Sequence, residues 1–517
     1  MKLFLIHILL VLSVCSVFAQ EDFSRIDRSG YSDADFFFYQ RRYEEAYDIL
    51  KELHITYPDN SEVAYRLAVC ELDLFRNKDK AQELLESALQ RGKRDALFYL
   101  AKISHLNHEF DQAMELFTEY KTVGSRDFRD SEIDRHIDQC REAKRLTAFP
   151  EDILVKNMGS QINSEYAEYV PVITSDESEL YFTSRRDNST GGKTDPNNRY
   201  FEDIYMSKKE GDTWVKPTNV ISEINTETHD ATAAISADGS KMVIYRTNRQ
   251  LTGGDLYITQ RVNDKWSEPE LLDYNINSDF QEASACFSPD GNTLYFSSNR
   301  PGGFGGRDIY RVRILPNGDW SLPMNLGSAI NTEFNEDSPF LDVDDRTLYF
   351  ASEGHNSMGG FDIFISKRRG AENWSIPENL GFPANSVEDD IYLSITPGGK
   401  KGYYSSEKEN GYGDQDLYEV EFIYRQQTNI IVKGVLTNDF GKPVQGEITV
   451  IDETTKDLLG VYTSNERTGK FILLLNPMTK YNITVQSPGK GTYSKELYYE
   501  FPEENNKEIE LEAIMLK

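Results

Sequence analysis

The sequence predicts a multidomain chain: a signal peptide over 1–19, an α-helical solenoid of repeats over 32–147, a five-bladed β-propeller over 150–425 and a small β-sandwich over 429–517. Three observations carry this. A helical motif centred on alanine returns at intervals of 35 and 32 residues. A unit of about 50 residues, with four strand-like runs, returns five times. The C-terminal segment alternates apolar and polar positions between Gly and Pro turns. At 517 residues the chain is long enough for three or four cores.

At the N-terminus, Lys2, an apolar run from Leu3 to Leu12 and Val17-Phe18-Ala19 before Gln20 read as a signal peptide cleaved after Ala19. The run is too short to span a bilayer, and no other stretch has the length a spanning helix needs. The expected location is the periplasm, in association with the outer membrane. Leu12-Ser13-Val14-Cys15 loosely resembles a lipobox, but Val14 is bulky where a small residue is wanted, so a lipoprotein is the less favoured form.

Beyond the signal, Cys70, Cys140 and Cys286 are too few and too scattered for a disulfide framework and read as buried thiols. The net charge of -30 excludes nucleic acid and anionic lipid surfaces as partners, because phosphate binding needs a basic footprint. Basic partners and divalent cations remain compatible with it.

In the helical block the motif reads Tyr43-Glu44-Glu45-Ala46, Asp79-Lys80-Ala81 and Asp111-Gln112-Ala113, each followed by apolar residues at helical spacing. The alanines fall near a 34-residue period, which predicts helical hairpins stacked through Ala46, Ala81 and Ala113, with a closing helix from Ser131 to Leu146. Such a solenoid is either a spacer or a dock for a peptide or protein.

After Phe149-Pro150 the period changes. The unit is clearest at Ser288-Pro289-Asp290-Gly291, Leu294-Tyr295-Phe296-Ser297-Ser298, Asp308-Ile309-Tyr310, Trp320, Asn325-Leu326-Gly327 and Ile330-Asn331. Its first turn falls at Asp176, Asp238, Asp290, Asp344 and Gly398. All four tryptophans, Trp214, Trp266, Trp320 and Trp374, occupy one position, each with proline three residues on. Four antiparallel strands per unit make a propeller blade. Asn157 through Asn163 copies the end of a blade, so a strand near Ile153 to Asn157 is expected to complete the last one; a sixth, degenerate blade using 419–428 is the alternative.

These motifs carry resemblances. The first block resembles tetratricopeptide domains. The unit with Ser288-Pro289-Asp290-Gly291, Leu294 to Ser298 and Asp308-Ile309-Tyr310 is similar to TolB-type, WD40-like propeller repeats. The last block, with Gly434, Gly441-Lys442-Pro443-Val444 and Gly469-Lys470-Phe471, resembles the carboxypeptidase regulatory-like, or transthyretin-like, fold. Their order resembles periplasmic proteins of Bacteroidetes such as those of the PorE kind in type IX secretion. The resemblance implies a non-catalytic scaffold with protein partners in the cell envelope, among outer-membrane secretion or motility components. The OmpA-type domain that usually ends such proteins is not found before Lys517, so no direct peptidoglycan-binding domain is expected.

Two sets of carboxylates repeat with the propeller unit. Glu168, Asp230, Glu282, Glu336 and Asp390 stand eight residues before each turn position, where the innermost strand begins, and so are expected to ring one mouth of the channel. A ring of one sign focuses the field on a basic ligand or a divalent cation such as calcium; the structural alternative pairs each with Arg186 or Arg300 of a neighbouring blade or with backbone amides. Apart from that cation, no cofactor is expected.

Asp203, Asp255, Asp308, Asp362 and Asp416, each before Ile or Leu, read as structural acceptors at strand entry, and the four tryptophans as structural repeat positions. The glycines at 302–306 lack the Lys-Ser or Lys-Thr of a phosphate cradle and read as hairpin turns. Catalytic signatures are mostly missing, with no His-Glu-x-x-His and no Gly-x-Ser-x-Gly, and an enzyme is not expected; the alternative from another class is a propeller that binds or cleaves glycans through a carboxylate pair.

Overall fold

The structure is a computed structural model, and it describes residues 25–123, 128–195, 198–219, 224–236, 239–262, 265–370, 373–397, 399–409, 411–423, 430–456, 458–475, 478–500 and 508–516. The signal peptide and Cys15, Asp238, Gly398 and residues 424–428 of the alternative sixth blade lie outside them. The chain divides into two compact units, Met1–Ile137 and Asp138–Lys517.

Among the described residues the first unit is built from helices α1 (Arg25–Tyr39), α2 (Tyr43–Thr56), α3 (Ser61–Phe75), α4 (Lys78–Gln90), α5 (Ala96–Leu106), α6 (Phe110–Val123) and the first part of α7 (Asp130–Ala148). Consecutive helices from α1 to α6 pack as neighbours. Ala46, Ala81 and Ala113 are completely buried, as the period requires, because a small side chain lets adjacent helices approach closely. Asn60 caps α3 by accepting from the amides of Glu62 and Val63, and Asn77 caps α4 through Lys80. Helix α1 starts at Arg25, ahead of the expected 32, and continues through Gly30. Its last turns pack onto the buried Arg66, whose guanidinium pairs with Asp35 and Glu62 and lies over the rings of Tyr31 and Phe38.

In the second unit, five antiparallel sheets follow one another. Their first strands are Glu168–Ile173, Asp230–Ile235, Ala285–Phe287, Glu336–Leu341 and Asp390–Ile395, and each pairs in order with a second and a third strand of its own unit. These first strands lie side by side in a closed cycle, the fifth returning to the first. The region is therefore propeller-like. Ile153–Asn157 pairs antiparallel with Asp416–Phe422, Ile153 opposite Phe422 and Asn157 opposite Tyr418, so an N-terminal strand completes the fifth sheet. Residues 419–422 belong to that same sheet.

The tryptophans join one sheet to the one before. Trp214 packs edge-on to Tyr403 of the fifth sheet, Trp266 edge-on to Tyr181 of the first, and Trp374 shares a core with Tyr295 of the third. Trp320 is less buried and shares its core with Val243, which takes the tyrosine's place.

Two further sheets close the chain. One holds Lys470–Leu475, Ile430–Asn438, Glu508–Glu510 and Ile514–Leu516; the other holds Leu458–Thr463, Glu447–Asp452, Lys480–Gln486 and Tyr493–Tyr498. Alternate residues Ile430, Val432, Ile448, Val450, Ile483 and Val485 share one core, the period of a half-buried strand. Gly434 is required there: a Cβ would stand 2.2 Å from the Phe471 ring. Arg467 and Thr468 bind the first sheet of the cycle, through Glu179 at 3.1 Å and Asp176 at 2.8 Å.

Candidate functional site

Each first strand begins at or near a carboxylate held in one arrangement. Glu168, Asp230, Glu282, Glu336 and Asp390 are all 0% exposed. Each accepts from the backbone amide and the hydroxyl of the residue four positions earlier, Ser164, Thr226, Ser278, Thr332 or Ser386. Ser184, Ser298 and Ser352, at the ends of second strands, donate to Glu168, Glu282 and Glu336.

A cation closes most of these sites. Arg186 lies 3.1 Å from Glu168, Arg246 2.5 Å from Asp230, Arg300 3.1 Å from Glu282, and Lys408 contacts Asp390. The same cations donate to the carbonyls of Ile162, Ile224, Ile276 and Ala384. In the fourth sheet Gly354 stands where the arginine would be, and His355 Nε2 donates to the equivalent carbonyl of Ile330 at 2.8 Å.

The ring expected at the channel mouth is thus not open. Each carboxylate is enclosed by its own sheet and the loop leading into it, and Arg186 and Arg300 belong to the sheet whose carboxylate they hold, because the hairpin after the first strand brings the chain back beside it. Burial pushes Glu168, Asp230 and Glu336 above the ordinary carboxylate range; Arg186 and Arg246 oppose this in the first two, and the Thr332 and Ser352 hydroxyls with the Thr332 amide in the third. Among the described residues, no group of three or more His, Cys, Asp or Glu is arranged to hold a metal ion.

The second set is a strand-entry clamp. Asp308 accepts from the amides of Phe304 and Gly305 and from Asn325 Nδ2; Asp416 accepts from Tyr412, Gly413 and Asn157. Asp203 and Asp362 follow, with Asn219 and Asn379. In the glycine-rich turn at 302–306 the amides of Phe304 and Gly305 donate to Asp308 and that of Gly306 to the Phe334 carbonyl. Asp255 departs, because Leu271 stands where the other sheets have that asparagine.

One further repeated group carries no charge. Asn163, Asn225, Asn277, Asn331 and Asn385 each accept from and donate to the backbone of one third-strand residue, Leu417, Ile204, Leu256, Ile309 or Ile363, replacing a strand neighbour. The sequence signal was the asparagine at the end of every unit, after isoleucine in four of them and after Ala384 in the fifth.

Beside these repeated positions stand residues that occur once. Glu202 precedes Asp203, accepts from the Tyr169 hydroxyl, and pairs with Arg185 at 2.6 Å and His229 at 2.9 Å. Burial alone would raise its pKa, but the His229 hydrogen bond and the Arg185 charge outweigh it and hold Glu202 down at about 2. Asp337, which follows Glu336, pairs with Arg307 at 2.6 Å and accepts from Ser284 and Ser297. The Tyr169 and Tyr392 rings stand 6.4 Å apart between these two groups. Sequence reasoning missed this cluster because it looked for positions that repeat.

Residues 37–103 match the family model of the tetratricopeptide repeat. No curated protein matches the chain. Among solved structures, TolB from Acinetobacter baumannii is similar at 15% identity over 57% of this chain and 71% of its own, with a TM-score of 0.32. An endo-arabinase from Bacteroides thetaiotaomicron is similar at 14% identity over 54% and 99%, with a TM-score of 0.34. An alpha-L-arabinofuranosidase from Lactobacillus brevis stands at 10% identity over 51% and 91%, with a TM-score of 0.33. At such TM-scores the propeller-like reading rests on the sheet topology itself.

Proposed function

We propose that the chain is a non-catalytic scaffold or accessory subunit of the cell envelope, periplasmic and outer-membrane associated. Its five consecutive sheets act as the blades of a five-bladed, TolB-type propeller, and its last two sheets as a carboxypeptidase regulatory-like sandwich. The observation that carries the reading is the tetratricopeptide match at 37–103 in one chain with a propeller-like cycle, since both architectures generally mediate protein-protein interaction. The order of these blocks supports a role like that of PorE-type proteins, in type IX secretion, gliding or envelope assembly. The repeated carboxylates support it too, because they are enclosed by structural partners.

Crosslinking the tagged full-length protein in intact cells, followed by mass spectrometry of the linked peptides, tests this. Links from the helical repeats or the propeller to outer-membrane or secretion proteins are the expected result. A protein that crosslinks to nothing and sediments as a free monomer overturns it.

A second reading, a glycan-binding or glycan-cleaving propeller, draws on Glu202 and Asp337, which occur once instead of in every sheet. Glycoside cleavage needs one carboxyl held protonated as the acid. Glu202 is held ionised at about 2 and Asp337 is paired with Arg307, so binding without cleavage is the form this reading takes. Loss of glycan binding on Glu202→Gln would favour it.

A further inference from the structure

In the fourth sheet the loop between the second and third strands carries a helix. The amide of Met358 donates to Asp362, as those of Phe304 and Tyr412 do to Asp308 and Asp416, so these residues hold one position in three sheets. Met358 is 0% exposed. The second half of α7, in the same compact unit, binds the loop on both sides of it. Gln139 donates to the Ser357 hydroxyl at 3.3 Å and to the Gly359 carbonyl, and Asn356 donates to Glu142 at 3.5 Å.

Phe304 and Tyr412 stand instead at the surface, 51% and 52% exposed, in the two sheets that neighbour the fourth in the cycle. The carbonyls of Gly305 and Gly413, equivalent to that of Gly359, accept no hydrogen bond among the described residues. Of the two loops, the one with Tyr412 has the broader aromatic surface. Gly413 packs so closely on the Tyr166 carbonyl that a Cβ has no room there, and the half-buried Tyr166 ring meets Tyr200 edge-on at 5.7 Å. The loops bearing these three rings also bear exposed Glu165, Asp187, Glu409 and Asp414. Of their cations, Lys193 pairs with Glu227 at 2.8 Å and Lys408 contacts Asp390. The surface charge of this joint is therefore mainly negative, with Arg199 as the exception.

We infer that Tyr412, Tyr166 and Tyr200 seat a Lys- and Arg-bearing amphipathic α-helix of a partner protein, which lies on the loop of the fifth sheet as α7 lies on that of the fourth. The α7 contact shows that this loop geometry accepts a helix, with a side-chain amide reaching the glycine carbonyl. Exposed tyrosines beside acids suit basic side chains, whose aliphatic stems lie on the rings while their charges meet the carboxylates. An extended peptide would seek an open sheet edge, and these loops offer none. The inference rests on the scaffold reading and names the chemistry of its partner.

The test places a photocrosslinker, Tyr412→p-benzoylphenylalanine, in the tagged full-length protein in intact cells, and identifies the linked peptide by mass spectrometry. That peptide is then synthesised and titrated into the purified full-length protein. The expected result is a Lys- and Arg-rich segment of another protein that gains helical circular dichroism on binding. Its affinity should fall at least about fivefold in Tyr412→Ala, fall in the charge-reversed Glu165→Lys, and fall as sodium chloride rises from about 0.05 to about 0.5 M. If Tyr412→Ala fails to fold, Glu165→Lys and the salt series decide. A photoproduct with a second copy of this chain, with a glycan or with an acidic segment, a peptide that stays extended, or an affinity indifferent to these changes would overturn the inference. Chemical crosslinks to envelope proteins from elsewhere on the chain, with no photoproduct at position 412, would overturn it and leave the scaffold reading standing; no crosslinks of either kind would overturn both.

Discussion

Glu202→Gln removes one charge while keeping the side chain's shape, and it isolates the electrostatic worth of the cluster that does not repeat. In the folded protein His229 and Arg185 hold this carboxyl at about 2, against an ordinary value of 4.5. At roughly 1.4 kcal/mol per pH unit, that difference stabilises the fold by about 3 kcal/mol at neutral pH. The sign follows from the depressed value: the contribution is fully present above pH 4.5 and is lost as pH falls towards 2. Urea unfolding followed by tryptophan emission is a suitable assay, because all four tryptophans lie in the sheet cycle. The gap between the wild type and Glu202→Gln should be about 3 kcal/mol at pH 7 and should shrink below about pH 4.5. A gap that stays flat down to about pH 3, or that is under about 0.5 kcal/mol at pH 7, would refute the reasoning.

The enclosed carboxylates predict a graded series in the same assay. Glu282→Ala leaves Arg300 buried without its counter-charge and should cost about 3–5 kcal/mol, whereas Glu336→Ala strands only neutral donors and should cost about 1–3 kcal/mol. Asn331→Ala breaks both bonds to Ile309 and should cost about 1–3 kcal/mol in thermal or urea melts, with Asn331→Asp, which keeps the acceptor, falling between it and the wild type. Calcium at millimolar level, or a chelator, should leave the melting temperature unchanged; a clear rise with calcium would mean that a ring carboxylate is available to a cation after all.

The parts of the fold legible in the sequence were those set by period. Alanines at intervals of 35 and 32 residues are completely buried in successive helices, and the tryptophan register became the joint between sheets. Even the pairing of Ile153–Asn157 with the fifth sheet was readable, because Asn157 through Asn163 repeats the end of a unit. What a period does not carry is which strand lies beside which residue. Arg186 looked like a link to a neighbouring sheet; only the hairpin register, with Glu168 opposite Ser184, shows that it folds back onto its own. Helix α1 starts at Arg25, ahead of the expected 32, and its later turns pack around Arg66. The Glu202 and Asp337 pairs had no repeat signal at all.

The fourth sheet explains what the repeated carboxylate is for. With Gly354 in the arginine's place, Glu336 keeps its Thr332 and Ser352 donors, while His355 takes over the Ile330 carbonyl. In the fifth sheet a lysine does both tasks. Three different side chains therefore satisfy one requirement: a donor for the carbonyl six residues before the carboxylate, with or without a charge for the carboxylate itself. What arginine, lysine and glycine followed by histidine share at this position is closing the loop into the strand. The sheets differ from one another at Glu202 and Asp337, and Glu202→Gln is the variant above aimed at one of these positions.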